Sequence, residues 1–420
     1  MPSIEGNIVN SEGTARGRIE INEASGLIEK VGAPTGKADI LLGEELIFPG
    51  FIDVHVHARE CKDHSQDYKE DFITAGNAAI NGGVTAIAEM PNNPVPPIDD
   101  ASYAEKKKLA EKCPIEVLLY AGIGPNTNPL SKKVPYKAFM GPSVGDLFFR
   151  SKEELEETIK RYEGQYVSFH CEDPEVLEAN KDKPTHELRR PPEAETSAVD
   201  FALELIRKYK LHGKICHAST LAALEKVIEA KKAGMDVKAE ITPHHLYFDQ
   251  GIITDESNKF LQVNPPVRTG KDRLRMIEYL KNGDIDFLAT DHAPHTLEEK
   301  EKGTSGMPHL DTYGPFVAWL IKEHGFSPAQ IAKVCCENPG GFLDNFSEEL
   351  VGGLASHCLA SHNGKIAEGC SASFTILDMQ KPITISKDML KTKCAWSPFE
   401  GVTFPGSITK TIVKGKIYEN

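Results

Sequence analysis

The feature that most constrains the fold of this chain is a succession of short apolar segments, each separated from the next by a helical pattern. Most of these segments are too uniformly apolar for a sheet with one face in water. They fit parallel strands that are covered by helices on both faces. The predicted strands are 51–56, 84–89, 115–121, 134–140, 166–170, 213–217, 237–242 and 286–291.

Start and stop signals frame the intervening helices. Ser151 and Ser327 each precede a Glu or Gln by three residues, which is the spacing of a capping box, and a proline follows Ser327. The helical pattern of 219–233 ends at Gly234, a residue that helix C-termini favour. Strands and helices in alternation predict an α/β fold, a (β/α)₈ TIM-type barrel. A doubly wound open sheet has the same local pattern and stays the alternative.

The two ends of the chain differ from its middle. Residues 1–48 and 365–420 carry short alternating runs broken by Gly, Asn and Pro, which predict short strands and turns. Neither end can build much of a core alone, so we expect both to pack together as one small β-sandwich domain. The predicted domains are therefore 1–48 with 365–420, and a barrel domain of 49–364.

Composition excludes several classes of function. A formal net charge of -14 argues against nucleic acid, which demands a basic face. No apolar run approaches the roughly 18–20 residues of a transmembrane helix, and residues 1–10 lack the features of a signal peptide. The 9 cysteines form no CxxC pair, which indicates free thiols in a reducing cytoplasm.

Side chains that can bind a metal ion stand at the ends of several predicted strands. A lone histidine in such a place is more often structural than a ligand, so the joint placement carries the inference. His55 and His57 are two residues apart on the first strand and therefore share a face. The strand ends of a barrel converge at its C-terminal mouth, where catalytic residues cluster. The candidates at this mouth are His55, His57, Lys137, His170, His217 and Asp291.

This set of side chains suits metal-assisted hydrolysis. Neutral imidazole and carboxylate favour zinc or a similar divalent ion, with a position left open for water. A bound ion lowers the pKa of water to about 7 and polarises a carbonyl group. Asp291 can then take the proton from the attacking water and return it to the leaving nitrogen, as a catalytic residue. Two ions would explain why the candidates outnumber the ligands that one ion uses.

The blocks around these residues resemble the amidohydrolase superfamily, and in particular its dihydroorotases. PGFIDVHVHAR (49–59) is similar to the opening motif of the superfamily. GKIAEGCSASFTILDM (364–379) is similar to the return of the chain to the family's small β domain. Between them, in family order, come the blocks at 69–97, HCED (170–173), CHAST (216–220), ITPHHLYF (241–248), VNPPVR (263–268) and TDHAPH (290–295).

The resemblance implies an activity and a ligand set. The activity is the reversible cyclisation of N-carbamoyl-L-aspartate to L-dihydroorotate and water in de novo pyrimidine (UMP) biosynthesis. His55, His57 and Asp291 would hold the more buried of two ions, and His170 with His217 would hold the other. The resemblance therefore implies an enzyme, a hydrolase of a carbon–nitrogen bond in a cyclic amide, with zinc as its cofactor.

The resemblance also assigns the bridge between the ions and the substrate contacts. Lys137 resembles the lysine that family members carboxylate with carbon dioxide, and a carbamate supplies two anionic oxygens where an ammonium would repel both cations. Arg59 can form a bidentate pair with the substrate carboxylate. Asn92 and His295 match positions that complete this carboxylate site, and Asn264 matches one that contacts the ring amide.

Two loops and a histidine pair complete the expectations. Residues 60–68 follow Arg59 and lack the Glu-Pro-Gly turn that is common in dihydroorotases of this type, so their role in closing over the substrate stays open. The Gly-rich segment 141–147 is predicted to be a flexible turn, and a mobile flap whose Ser143 contacts the substrate is the alternative. His244 and His245 are predicted to be structural or to support the ligands.

Two other functions are compatible with parts of the sequence. A dihydropyrimidinase, hydantoinase or allantoinase-type cyclic amidase handles rings without a carboxylate and would not need Arg59. A non-catalytic homologue that acts as a scaffold would have lost ligands, whereas all of them are present here. The expected partner is the small-molecule substrate, and the sequence leaves open a homo-oligomer or an association with aspartate carbamoyltransferase, which makes carbamoyl-aspartate.

Overall fold

A computed structural model of the chain describes residues 2–142, 147–254, 258–353 and 364–420. Most of the predicted turn at 141–147 therefore lies outside the described residues, as does Cys358. In chain order, the strands are β1 (Ser3–Asn10), β2 (Gly13–Asn22), β3 (Leu27–Gly32), β4 (Ile40–Pro49), β5 (Phe51–Val56), β6 (Val84–Glu89), β7 (Glu116–Leu119), β8 (Ala121–Ile123), β9 (Tyr136–Phe139), β10 (Tyr166–His170), β11 (His212–Ile215), β12 (Val237–Ile241), β13 (Phe287–Leu288), β14 (Val351–Gly352), β15 (Phe374–Asp378), β16 (Ile383–Thr384), β17 (Thr403–Phe404), β18 (Ser407–Val413) and β19 (Lys416–Glu419).

Parallel strands β5 to β13 form a closed barrel. β5, β6 and β7 pair in order, and β8 to β13 pair in order, while β7 and β8 are one extended stretch interrupted at Tyr120. A parallel bridge between Val56 and His292 closes the ring, and the His57 N–H donates to the His292 carbonyl at 2.8 Å. The predicted (β/α)₈ barrel is confirmed, and the open sheet is excluded because β5 meets the chain beyond β13.

The barrel strands are buried along their whole length where the sequence is most apolar. Every residue of β5, β6 and β9 is buried, as expected for strands covered on both faces. The helices that cover them are α1 (Phe72–Asn81), α2 (Asp100–Ala110), α3 (Lys152–Ile159), α4 (Pro174–Asn180), α5 (His186–Arg189), α6 (Pro192–Lys208), α7 (Leu221–Lys232), α8 (Pro243–Tyr247), α9 (Gly270–Lys281), α10 (Leu297–Glu301), α11 (Tyr313–His324), α12 (Pro328–Ala332) and α13 (Asn338–Asp344).

The helix termini agree with the sequence signals except at one position. Ser327 forms the predicted reciprocal capping box, because its N–H donates to Gln330 Oε1 at 2.8 Å and its hydroxyl accepts from the Gln330 N–H at 3.2 Å. The predicted box at Ser151 is wrong in one half. Ser151 Oγ accepts from the Glu154 N–H, but the Glu154 carboxylate accepts from the N–H of Arg150 instead of Ser151.

Both ends of the chain meet in one seven-stranded sheet, in the order β19-β18-β15-β4-β1-β2-β3. The contact between the ends is direct, since β15 pairs with β4 in antiparallel register. A separate apolar cluster, which includes Ile4, Ile19, Ile47, Phe374 and Ile412, fills this part of the molecule. The small β domain built from both chain ends is therefore confirmed, while its limits at residues 48/49 and 364/365 stay a prediction.

Two further properties of the described chain bear on the expectations from composition. None of its helices is both long enough and apolar enough to cross a lipid bilayer. The described cysteines are all free thiols, and seven of the eight are buried.

Candidate active site

The C-terminal ends of the barrel strands bring the predicted metal ligands together. His55 lies in β5 and His57 follows it, and Asp291 lies three residues beyond β13. Asp291 Oδ1 is 3.2 Å from His55 Nε2 and 3.1 Å from His57 Nε2. His217 also presents a ring nitrogen to this group, because ligand atoms of His55, His217 and Asp291 lie within 4.8 Å of one another.

A second group adjoins the first. His170 ends β10, and its Nδ1 faces His217 Nε2 at 2.9 Å. The rings of His170 and His217 have centroids 4.8 Å apart, and the ring of His217 is 5.3 Å from that of His55. The histidines and Asp291 therefore form one continuous cluster with two subgroups.

Two carboxylates fix which nitrogen of the histidine rings faces this cluster. His55 Nδ1 lies 2.6 Å from Glu240 Oε1, and His170 Nε2 lies 3.0 Å from Glu172 Oε2. A carboxylate can only accept, so each of these nitrogens carries the proton and the other ring nitrogen presents its lone pair. The lone pairs of both histidines are thus directed into the cluster, as in metal sites whose histidines donate to carboxylates.

Electrostatics of the cluster favour neutral imidazoles. Burial, together with the charges of Lys137 and the neighbouring cations, lowers the pKa of His55 and of His217 well below the ordinary value. Burial likewise lowers the pKa of His57, whose Nδ1 is buried and has no hydrogen-bond partner among the described residues. Burial raises the pKa of Asp291 to about 7, although Lys137 opposes the rise. Lone-pair nitrogens beside a carboxyl group are the donor set that a divalent ion would complete.

The backbone at the site is held in an uncommon conformation. Arg59, His217 and Asp291 have φ angles of 64°, 34° and 48°, in the left-handed region that residues other than glycine seldom adopt. Such strain persists only where the surrounding structure imposes it, and it is concentrated at functional sites. Backbone strain is therefore present at three of the predicted site residues.

Lys137 lies within β9, two residues before the end of that strand. It is the second residue of the four-residue β9, it pairs with Ser168 in the register of β10, and it is fully buried. Its Nζ contacts Cys216 Sγ at 2.8 Å, and it has no ion pair among the described residues. The charge of Lys137 contributes to the lowered pKa of His55, His57 and His217, so Lys137 lies close to the histidines of the cluster.

A cavity of about 280 Å³ opens above the cluster. Its volume suits a single small ring and its substituents. A larger cavity, of about 830 Å³, lies at the opposite end of the barrel, and its lining includes none of the predicted ligands. The smaller cavity is lined by His55, His57, Arg59, Asn92, Phe139, Pro142, His170, His217, Asn264, Asp291, Ala293, His295, Thr304, Ser305 and Gly306.

Arg59 forms the cationic side of this cavity. It is 2 % exposed, and its guanidinium donates to the Pro294 carbonyl at 3.3 Å and to His295 Nε2 at 3.1 Å. No carboxylate of the described chain forms an ion pair with it. Asn92 and Asn264 line the same cavity, and the buried Asn264 Oδ1 has no hydrogen-bond partner within the described residues. The residues predicted to contact the substrate therefore line the same cavity as the predicted metal-binding histidines and Asp291.

The loop after Arg59 is anchored from its first residue although it lacks a Glu-Pro-Gly turn. Glu60 is 1 % exposed, accepts from the Phe72 N–H at 3.1 Å and pairs with Lys112 at 2.6 Å. Its carbonyl accepts from Lys106 Nζ. The start of 60–68 is thus held by an ion pair and by hydrogen bonds from Phe72 and Lys106.

His244 and His245 belong to the packing around the site. His244 stacks on His309, with ring centroids 5.0 Å apart, and His245 Nε2 lies 3.1 Å from the Pro265 carbonyl. Neither histidine lines the cavity.

Sequence reasoning missed the two carboxylates that orient the histidines. Glu240 is fully buried in β12, where it also accepts from the His217 N–H at 3.0 Å and pairs with Lys214 of β11. Glu172 pairs with Arg190; burial alone would raise its pKa, but Arg190 and the bond from His170 lower it to about 2. One signal was available, because a Glu and a Lys in adjacent buried strands need each other as partners.

Comparisons with known proteins agree with this geometry. Residues 46–343 match the amidohydrolase family. The chain is 31% identical over 418 residues to the dihydroorotase of Pyrococcus furiosus, covering 99% of this chain and 91% of that one. It is 33% identical over 392 residues to the dihydroorotase of Methanothermobacter thermautotrophicus, covering 88% and 83%.

Solved structures agree on the fold. The L-hydantoinase (dihydropyrimidinase) from Arthrobacter aurescens superposes with a TM-score of 0.86 at 24% identity, over 100% of this chain and 96% of that one. At this identity the likeness shows the architecture alone. The family match and the relatives together show that the chain belongs to the amidohydrolase family, among the dihydroorotases.

Proposed function

We propose that this protein is a dihydroorotase, which interconverts N-carbamoyl-L-aspartate and L-dihydroorotate by closing or opening a cyclic amide. The observation that carries the proposal is the buried Arg59, which has no carboxylate partner in the described chain and shares a small cavity with the histidine cluster. A buried guanidinium that is hydrogen-bonded to no carboxylate is costly, and a ligand carboxylate would supply that partner. The dihydroorotase relatives support the same substrate.

The cluster fits a metal centre, for which zinc is the proposed ion. His55, His57 and Asp291 would hold one ion, and His170 and His217 a second. When bound, a divalent ion lowers the pKa of water to about 7 and polarises the amide carbonyl.

Lys137 is the proposed bridge between the two ions, as a carboxylated lysine. Within the described parts of the chain the buried Lys137 ammonium contacts the thiol of Cys216 and the ring of Phe139 and forms no ion pair, which is unfavourable, and it would repel two cations. Carboxylation replaces the positive charge with two anionic oxygens.

The remaining residues of the site would contribute either to proton transfer or to substrate binding. Asp291 would accept the proton of the attacking water and return it to the ring nitrogen that leaves. Arg59 and His295 orient the carboxylate, with Asn92 beside them. Asn264 Oδ1, which has no hydrogen-bond partner among the described residues, accepts from an N–H of the ring.

The competing function is that of an amidase for uncharged rings, such as a hydantoinase. The hydantoinase structures share the fold, but an uncharged ring would leave Arg59 without an anion. A non-catalytic scaffold is disfavoured because every predicted ligand is present and lies in one cluster.

The setting of the enzyme is also part of the proposal. Free, mostly buried thiols suit a cytoplasmic protein. Partners would be the small-molecule substrate, with a homo-oligomer or aspartate carbamoyltransferase as candidate protein partners.

A spectrophotometric assay of metal-analysed protein tests the proposal, with dihydroorotate as substrate and dihydrouracil and hydantoin as rivals. We expect ring opening of dihydroorotate and little turnover of either rival. Rapid opening of a rival ring with none of dihydroorotate would overturn the assignment.

A further inference from the structure

Lys300, in α10, is a fully buried lysine that the proposed chemistry does not use. Its Nζ donates to three backbone carbonyls: Gln262 at 3.0 Å, Thr304 at 2.8 Å and Gly306 at 2.8 Å. An ammonium has three N–H donors, so every donor is satisfied by a carbonyl.

The ammonium of Lys300 is buried without a counter-ion in the part of the chain that the structure describes. Among the described residues no carboxylate pairs with it, and its other neighbour is the ring of Trp396, 5.9 Å away. Burial lowers the pKa of Lys300 to about 7, whereas three carbonyl acceptors favour the charged form. A buried cation tied only to backbone oxygens is unusual and calls for a reason.

The three carbonyls belong to two segments that build one wall of the cavity. Gln262 lies two residues before Asn264, and Thr304 and Gly306 line the cavity directly. Further bonds join the same segments, since the Gly306 N–H donates to the Gln262 carbonyl at 2.9 Å and Gln262 Nε2 donates to Ser305 Oγ at 3.1 Å.

This wall lies against His295, on the side of the cavity that would receive the substrate carboxylate. Gly306 has a φ of 132°, and a Cβ there would lie 2.6 Å from the Ala293 carbonyl oxygen and 3.0 Å from His295 Cδ2. The wall therefore packs closely against His295, and the ring of His295 accepts from Arg59. Gly306 is thus connected through His295 to the arginine that faces the cavity.

We infer that Lys300 is a positioning residue for substrate binding: it ties the Asn264 segment to the 304–306 loop and thereby holds His295 and Arg59 in place for a carboxylated ring. This inference rests on the proposed dihydroorotase function. It assigns Lys300 to recognition of the substrate and leaves bond cleavage to the metal-ligand cluster.

The test compares steady-state kinetics of dihydroorotate opening by the wild-type enzyme and by Lys300→Met, with metal content measured on both. Lys302→Met removes the same charge from an exposed position nearby and serves as the matched control. We expect KM to rise by about tenfold, equivalent to ~1.4 kcal/mol of binding, while kcat and metal content stay near wild type. Lys302→Met should match the wild type.

A loss of kcat at unchanged KM, or no change in either constant, would overturn the inference. If Lys300→Met fails to fold, Lys300→Gln decides, because it removes the charge of Lys300 and shortens the reach to the three carbonyls while it keeps two N–H donors. A raised KM in Lys300→Gln supports the inference and an unchanged KM overturns it. Failure of the proposed function is distinguishable, because the wild-type enzyme would then not open dihydroorotate at all.

Discussion

Replacing Glu240 with glutamine tests how the histidine cluster is held. Glu240 Oε1 accepts from His55 Nδ1–H at 2.6 Å and from the His217 N–H at 3.0 Å, while its other oxygen pairs with Lys214. Glutamine keeps the shape but removes the negative charge. Lys214 is then left buried without a counter-ion, and His55 loses a charge-assisted bond.

These contacts set the expected losses of unfolding free energy and of metal affinity. Removing one partner of a buried ion pair costs about 3–5 kcal/mol of unfolding free energy. Loss of a carboxylate that orients a metal-binding histidine typically lowers metal affinity about 10–100-fold. Glu240→Gln should therefore lose both stability and metal affinity.

A second variant separates the two effects. In the double variant with Lys214→Met the unpaired charge is gone, so most of the unfolding free energy should return. Metal affinity should stay low, because the bond to His55 is still altered. Urea unfolding of the metal-free proteins and competition with a chelator measure the two quantities. Wild-type stability and affinity in Glu240→Gln would refute the reasoning, as would recovery of metal affinity in the double variant.

Three other outcomes are expected. Lys137→Ala should abolish activity, with partial rescue by short carboxylic acids that replace the carbamate; normal turnover and metal content would contradict the bridge. Trp396→Phe removes the N–H that donates to the His295 carbonyl at 2.7 Å, so KM for dihydroorotate should rise by a few fold, and an unchanged KM would remove Trp396 from the support of His295. Metal-free protein should lose stability as the pH falls below about 6.5. Burial lowers the pKa of five histidines in the folded protein, so below this pH the unfolded chain binds more protons than the folded one. These are His55, His57, His217, His244 and His309. Burial raises the pKa of Asp53 and Asp291 to about 7, which opposes this loss of stability, but these carboxyl groups are fewer than the histidines. A free energy of unfolding in urea that stays constant or rises between pH 7 and pH 5 would contradict the prediction.

The positions of the site residues could be predicted because strand order alone brings them together. His55 and Asp291 are far apart in sequence, but β5 and β13 are the first and last strands of a closed barrel and their ends meet. Apolar runs and strand-end polar residues are local signals, and the topology of parallel strands converts them into proximity.

Other features depend on register and side-chain geometry, which local patterns do not contain. Glu240 was missed because its pairing with His55 requires the depth of β12 relative to β5. Lys137 was expected at the end of its strand, whereas it lies two residues before the end of β9. The capping box at Ser151 failed because the Arg150 N–H competes for the same carboxylate, and a spacing rule cannot decide between two donors.

Arg59 and the histidine cluster together are expected to receive a carboxylated cyclic amide. A crystal structure of the metal-loaded protein with dihydroorotate tests this most directly. We predict that the ring occupies the 280 Å³ cavity with its carboxylate paired to Arg59 and its amide beside Asn264, and that metal density lies among His55, His57 and Asp291. A ring bound elsewhere, or one whose carboxylate points to solvent while Arg59 keeps its bond to the Pro294 carbonyl, would contradict the claim.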